Sequence, residues 1–167
     1  EASGGVQDVN IYQNVIGLCE HGADNPGTSC GWGLAMHLKT TLTRGGYFRN
    51  IRFQNNIIYN NTAFFHIETD YQSNGHDPPP YPTTEIKNIS IVGNSGLGMA
   101  TGVTFGCSKY MPCKDIVVKN NWILHGTSGS YHCSFVDKYY EENNSPKGLE
   151  DCLYNSINRT ETIPRIS

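Results

Sequence analysis

Arg49-Asn50-Ile51-Arg52-Phe53-Gln54-Asn55-Asn56 is the stretch that decides how this chain is read. It runs polar, Asn, β-branched, polar, apolar, and ends in a pair of asparagines. The same order, with Asp or Asn in second place, returns at Gln7-Asp8-Val9-Asn10-Ile11, Lys87-Asn88-Ile89-Ser90-Ile91 and Lys114-Asp115-Ile116-Val117-Val118. Taken at the β-branched position, the copies lie 42, 38 and 27 residues apart. Alternation of this kind predicts short strands with one buried face. A second strand type follows a turn, at Leu34–Lys39, Ala63–Thr69, Val103–Phe105 and His132–Val136. Two or more short strands per repeat, with loops of uneven length, predict an all-β chain wound as a right-handed parallel β-helix. A β-sandwich would need hairpins with Asn-Gly-type connections. Asn-Gly occurs once, at Asn74-Gly75, just before Pro78-Pro79-Pro80.

Stacked coils also account for the composition. Of 167 residues, 37% are hydrophobic and only 16% charged, so a charged helical bundle is excluded. Aromatic residues at 11% exclude a disordered chain. In a solenoid, like residues stack on like at the strand spacing of about 4.8 Å. Asparagine amides can then form ladders at the corners, a use for the pairs at 55–56, 60–61 and 120–121. Residues 1–130 read as coils, and 131–167, with Cys133, Cys152 and a polar tail, as a C-terminal cap. The first residues lead directly into a repeat strand, so an open solenoid edge is expected there, needing a preceding coil to cover it.

The cysteines and sequons point outside the cell. Six cysteines, Cys19, Cys30, Cys107, Cys113, Cys133 and Cys152, allow 15 pairings. Closeness along the chain favours 19–30, 107–113 and 133–152. Zinc spacing is absent around Cys19-Glu20-His21 and His132-Cys133, so no metal is expected. Asn-x-Ser/Thr sequons start at Asn60, Asn88, Asn143 and Asn158. Paired cysteines and sequons together predict a secreted glycoprotein. A net charge of −3 gives no reason to expect nucleic acid, and no apolar run of about 18 residues offers a membrane span. Locally the balance differs. From Asn25 to Ile67 there is no Asp or Glu, while Lys39, Arg44, Arg49 and Arg52 carry positive charge. Gathered on one surface these would attract a polyanion; the equally weighted alternative is that strand alternation scatters them over different faces.

Met36-His37-Leu38-Lys39-Thr40, followed by Arg44-Gly45-Gly46-Tyr47-Phe48-Arg49-Asn50-Ile51, resembles a signature of glycoside hydrolase family 28, the polygalacturonases. There an Arg-Ile-Lys-Thr run precedes an Arg-Gly-Gly-Tyr run. Glu1-Ala2-Ser3-Gly4-Gly5-Val6, Asp70-Tyr71 and Pro112-Cys113-Lys114-Asp115-Ile116 are similar to further family segments. The resemblance implies a parallel β-helix, inverting hydrolysis of galacturonan and no cofactor. The family's catalytic aspartates and its Gly-His-Gly segment precede the Ser-Gly-Gly strand. None is present in these 167 residues, so no catalytic residue is assigned, and an N-terminal chain is the implied partner in completing the helix.

What the resemblance places here is the substrate-holding half of a site. The family's Arg and Lys correspond to His37 and Lys39, and its cleft tyrosine to Tyr71. The i, i+2 spacing puts His37 and Lys39 on one strand face, where charge-assisted bonds can hold a uronate. His37 is a departure that makes carboxylate binding pH-dependent and gives up the bidentate fork. Glu68 and Asp70 also share a face, about 6.6–6.8 Å apart between Cα atoms. They could be imagined as an inverting pair, but a polar strand face beside Tyr71 is the favoured reading and no catalysis is assigned to them. Two functions compete: a pectin-degrading hydrolase completed by an N-terminal part, and a non-catalytic β-solenoid that binds polysaccharide or serves as a scaffold. A pectate lyase would need calcium-binding acids that this acid-free segment lacks.

Overall fold

A computed structural model describes residues 4–17, 33–41, 44–59, 61–69, 71, 84–99, 101–125 and 132–145. The described part is all-β, with parallel strands in three sheets. The five-stranded sheet holds every copy of the Asn/Asp repeat, as β1 (Gly5–Tyr12), β4 (Tyr47–Gln54), β7 (Glu85–Val92) and β10 (Cys113–Lys119). A further strand of the same sheet, β13 (Val136–Glu142), follows them. The second sheet stacks β2 (Val15–Ile16), β5 (Ile57–Tyr59), β8 (Ser95–Met99) and β11 (Trp122–His125). The third stacks β3 (His37–Lys39), β6 (Ala63–Glu68), β9 (Thr101–Gly106) and β12 (His132–Ser134). Successive strands pass from sheet to sheet and return one layer on, which is the expected parallel β-helix. The strands run on through β13 and a bridge between Trp122 and Ser145, so the first part of the segment read as a cap continues the coils.

The recurring Asn or Asp has a backbone cause. Asp8, Asn50, Asn88 and Asp115 sit at φ 57°, 55°, 55° and 54°. This left-handed region is costly for most side chains and mild for Asn and Asp. Pairing skips these residues: Arg49 faces Lys87 and Ile51 faces Ile89, with Asn50 and Asn88 left out of the register. The kink shifts the alternation by one, so Ile86 and Ile89 both point inward although they are three apart. Lys138 takes the same conformation in β13, at φ 57°, without the help of an amide or carboxylate side chain.

A second asparagine series sits one corner on, inside the helix. Asn56, Asn94, Asn121 and Asn144 are buried, with Asn14 at the open end of the row. Backbone N–H and side-chain Nδ2 of Asn56 both donate to Asn94 Oδ1, at 3.0 and 2.9 Å. Asn94 repeats this onto Asn121 at 3.1 and 2.9 Å, and Asn121 onto Asn144 at 3.0 and 3.0 Å. The remaining amide hydrogens go to Ile11, Phe53, Ile91 and Val118 carbonyls. Of the pairs read as corners, 55–56 and 120–121 supply this ladder. Asn61 instead donates to the Tyr59 carbonyl of its own coil, and Asn60 lies outside the described residues.

Between the sheets the core is apolar and layered. Phe53 meets Phe64 and Phe65 at 6.0 and 6.0 Å between ring centroids. Phe65 meets Phe105 at 6.2 Å, and Phe105 meets Tyr139 at 6.1 Å, so aromatic contacts link successive coils. Ile51, Ile89 and Ile116 stack in register alongside. Cys107 and Cys113 form the expected disulfide, tying the end of β9 to the start of β10. Cys133 is also disulfide-bonded, which removes it from any metal site with His132. Cys19, Cys30 and Cys152 lie outside the described residues.

At the N-terminal side each sheet ends in an edge strand. β1, β2 and β3 each have a strand on one side alone among the described residues. Val9, Ile11 and Ile16 are correspondingly only partly buried, whereas their register partners Ile51, Phe53 and Ile58 in the next coil are fully buried.

Candidate functional site on the third sheet

Leu38 and Ile67 pair across β3 and β6 and point into the core. Their neighbours on either side must therefore point out. This puts His37 beside His66 and Lys39 beside Glu68, in register, on the outer face of the third sheet. His37 Nε2 lies 3.1 Å from Glu68 Oε2, and the His37 and His66 rings meet edge-on at 5.0 Å between centroids. Lys39 Nζ stands 3.2 Å above the centre of the Tyr71 ring, a cation–π arrangement. The Tyr71 backbone N–H donates to the Thr40 carbonyl at 3.1 Å, which holds the ring against the end of β3. His37, Lys39 and Tyr71, singled out from the sequence, thus lie at one edge of one sheet. Asp70 lies outside the described residues, and Glu68 is engaged with His37.

His66 was not singled out by sequence reading. It is separated from His37 by a whole coil, and its place beside it depends on loop lengths that no local pattern reports. The signal that could have found it is alignment of the second strand type, Leu34–Lys39 with Ala63–Thr69, which sets His37 over His66.

The basic run does not form one patch. Lys39 belongs to the third sheet, while Arg49 and Arg52 lie on the first. Arg49 is bonded to Glu85 and stacks on Tyr47. Arg52 lines an open polar groove of ≈ 710 Å³ with Asp8, Asn50, Gln54, Asn88 and Asp115. Two sequon asparagines are described: Asn88 and Asn143 are exposed, and their amides donate to Asn50 and Asn120 at 2.9 Å each. A glycan would replace one of the two amide hydrogens and leave the other for that bond. Asn158 lies outside the described residues.

The His37 imidazole is held below its ordinary pKa of 6.5. Partial burial is the main cause, and the neighbouring His66 adds to it; Glu68 acts in the opposite direction. A histidine depressed in the folded state gives stability that is full above about pH 6.5 and is lost as pH falls through the folded value. Proton NMR of the imidazole should find His37 titrating below 6.5, and lower still in Glu68→Gln, where the stabilising carboxylate is gone. A midpoint that rises in Glu68→Gln would contradict this account of the pair.

Residues 31–144 match the family model for glycosyl hydrolases family 28, and the chain belongs to that family. It is similar to a polygalacturonase of Persea americana, 29% identical over 120 residues, which is 70% of this chain. The chain spans about a quarter of that relative's length, with 25% of it covered.

Proposed function

We propose that this chain is the C-terminal portion of a secreted polygalacturonase-like glycoside hydrolase, acting on α-1,4-galacturonan of pectin by inverting hydrolysis. The observation that carries the reading is the position of Lys39. It stands on β3, the edge strand of the third sheet, with its ammonium over the Tyr71 ring, where a further coil would add. In this reading an N-terminal segment continues the helix beyond β1–β3, supplies both catalytic carboxylates, and covers the partly buried Val9, Ile11 and Ile16. Inversion needs those carboxylates about 6.5–9.5 Å apart, with a water between one of them and the sugar. Lys39 then holds a uronate carboxylate by a charge-assisted bond, and Tyr71 offers its ring face and hydroxyl to the sugar. His37, neutral at pH 7, adds a positive charge only in acid, where its protonation also strengthens its bond to Glu68.

Lys39→Ala is expected to weaken oligogalacturonide binding by about 1–3 kcal/mol in the completed protein, the scale of a charge-assisted hydrogen bond. Calorimetric titration reads this directly. Unchanged affinity in a folded variant would remove Lys39 from the site.

A second reading, a non-catalytic β-solenoid of the cell wall or extracellular matrix, is favoured by one observation. Glu68 places a carboxylate beside the group that would receive the uronate, and like charges repel there. Binding of polygalacturonate without cleavage would select this reading.

A further inference from the structure

The third sheet gathers two imidazoles and a carboxylate on one face, and the sugar-holding role described above uses only His37 among them. His37, His66 and Glu68 each direct a ligand atom to a common place, and these atoms all lie within 4.8 Å of one another. We propose that His37, His66 and Glu68 bind a divalent transition-metal ion of the zinc class on the outer face of β3 and β6. This goes beyond the glycosidase reading and does not depend on it.

The arrangement follows from the fold. His37 and His66 are register partners on adjacent parallel strands, and Glu68 is two residues beyond His66 on the same face. Strand spacing of about 4.8 Å and the i, i+2 repeat set the three side chains at the corners of a small triangle. All three are partly exposed, so an ion has a path in and the ligands keep freedom to adjust. Zinc bonds of about 2.0–2.2 Å in a tetrahedral site put ligand atoms roughly 3.4 Å apart. His37 Nε2 and Glu68 Oε2, at 3.1 Å, already stand at that separation. The widest separation must close by about 1.4 Å, a movement that rotation of an exposed imidazole supplies.

The neighbours leave the place open. On the side of β9, Glu68 faces Gly106, which has no side chain, and His66 faces Thr104, which has no charge. Among the described residues Lys39 pairs with Glu68 in the register, and its ammonium is drawn over the Tyr71 ring. Two imidazoles and one carboxylate favour zinc-class ions over calcium or magnesium, which seek oxygen. Three protein ligands leave a position for water or for a carboxylate from solution.

The test is zinc titration of the full chain with its disulfides intact, followed by calorimetry and by proton NMR of its six histidines. The expected result is saturable uptake of about one ion per chain, with a Kd of about 1 μM or below. Zinc should displace the His37 and His66 resonances and leave the other four histidines in place. His37→Ala, His66→Ala and Glu68→Gln should each weaken uptake at least about tenfold. Absence of saturable uptake by the folded wild-type chain would overturn the proposal. So would uptake that shifts other histidines, or that survives unchanged in all three variants. Should a variant fail to fold, the wild-type titration and its histidine shifts still decide the matter.

Discussion

Replacing Asn94 with alanine is expected to cost about 3–5 kcal/mol of stability, because it removes the middle of the buried amide ladder. Asn94 is fully buried, and its Oδ1 accepts both the backbone and side-chain N–H groups of Asn56. Its own amide donates to Asn121 Oδ1 and to the Phe53 carbonyl. Alanine keeps none of these side-chain partners. Two Asn56 donors and one lone pair at Phe53 are left inside the helix, each unpaired group costing about 1–3 kcal/mol. Against a total stability of about 5–15 kcal/mol, a loss of this size lowers Tm by about 10 °C or more. Asn14→Ala is the internal comparison. It occupies the equivalent corner at the exposed end, where solvent can take over its bonds to Asn56, so its cost should be below about 1.5 kcal/mol. Urea unfolding followed by circular dichroism measures both. Equal losses at the two positions would mean that the ladder does not hold the coils together.

The second large effect belongs to the aromatic contacts between coils. Phe105→Ala is expected to cost about 3–5 kcal/mol, the usual range for removing a buried phenyl ring. Phe105 is fully buried and is the ring that joins Phe65 of one coil to Tyr139 of another. A parallel β-helix gives such a cavity little means of collapse, because each strand is fixed at the spacing of its hydrogen-bonded neighbours. Phe105→Leu keeps most of the volume and should cost less than about 1.5 kcal/mol. The same unfolding experiment separates them. A Phe105→Ala loss below that of Phe105→Leu would contradict a core built from stacked rings.

These two positions also show how far the sequence could be read. The first sheet was legible because a left-handed kink in every coil demands Asn or Asp, and that demand leaves a mark at positions 8, 50, 88 and 115. The strand at Val136–Glu142 carries Lys138 in the kink and so escaped the pattern. The third sheet was legible from apolar runs such as Ala63–Glu68. The second was not, since β2 has two residues and β5 three, too few to show alternation. The site divides along the same line. His37 and Lys39 share a strand, and their spacing alone puts them on one face. His66 and Glu68 meet them through register between coils, which depends on the lengths of intervening loops. Glu68 was accordingly read as part of a polar strand face with Asp70, and its bond to His37 came from the fold. Charge read along the chain left two alternatives open for a related reason, and the scattered one holds: Lys39 and Arg52 are near in sequence but lie on different sheets.

The proposed function makes the outer face of the third sheet the substrate-holding part of an inverting galacturonan hydrolase whose catalytic carboxylates come from a preceding coil. The most direct measurement is proton NMR of the anomeric signals as polygalacturonate is treated with the polypeptide that contains this chain, purified from its source. The account predicts that the first-formed reducing ends are β, inverted from the α linkages of the substrate, while isolated residues 1–167 release none. First-formed α ends, or hydrolysis by residues 1–167 alone, would contradict it.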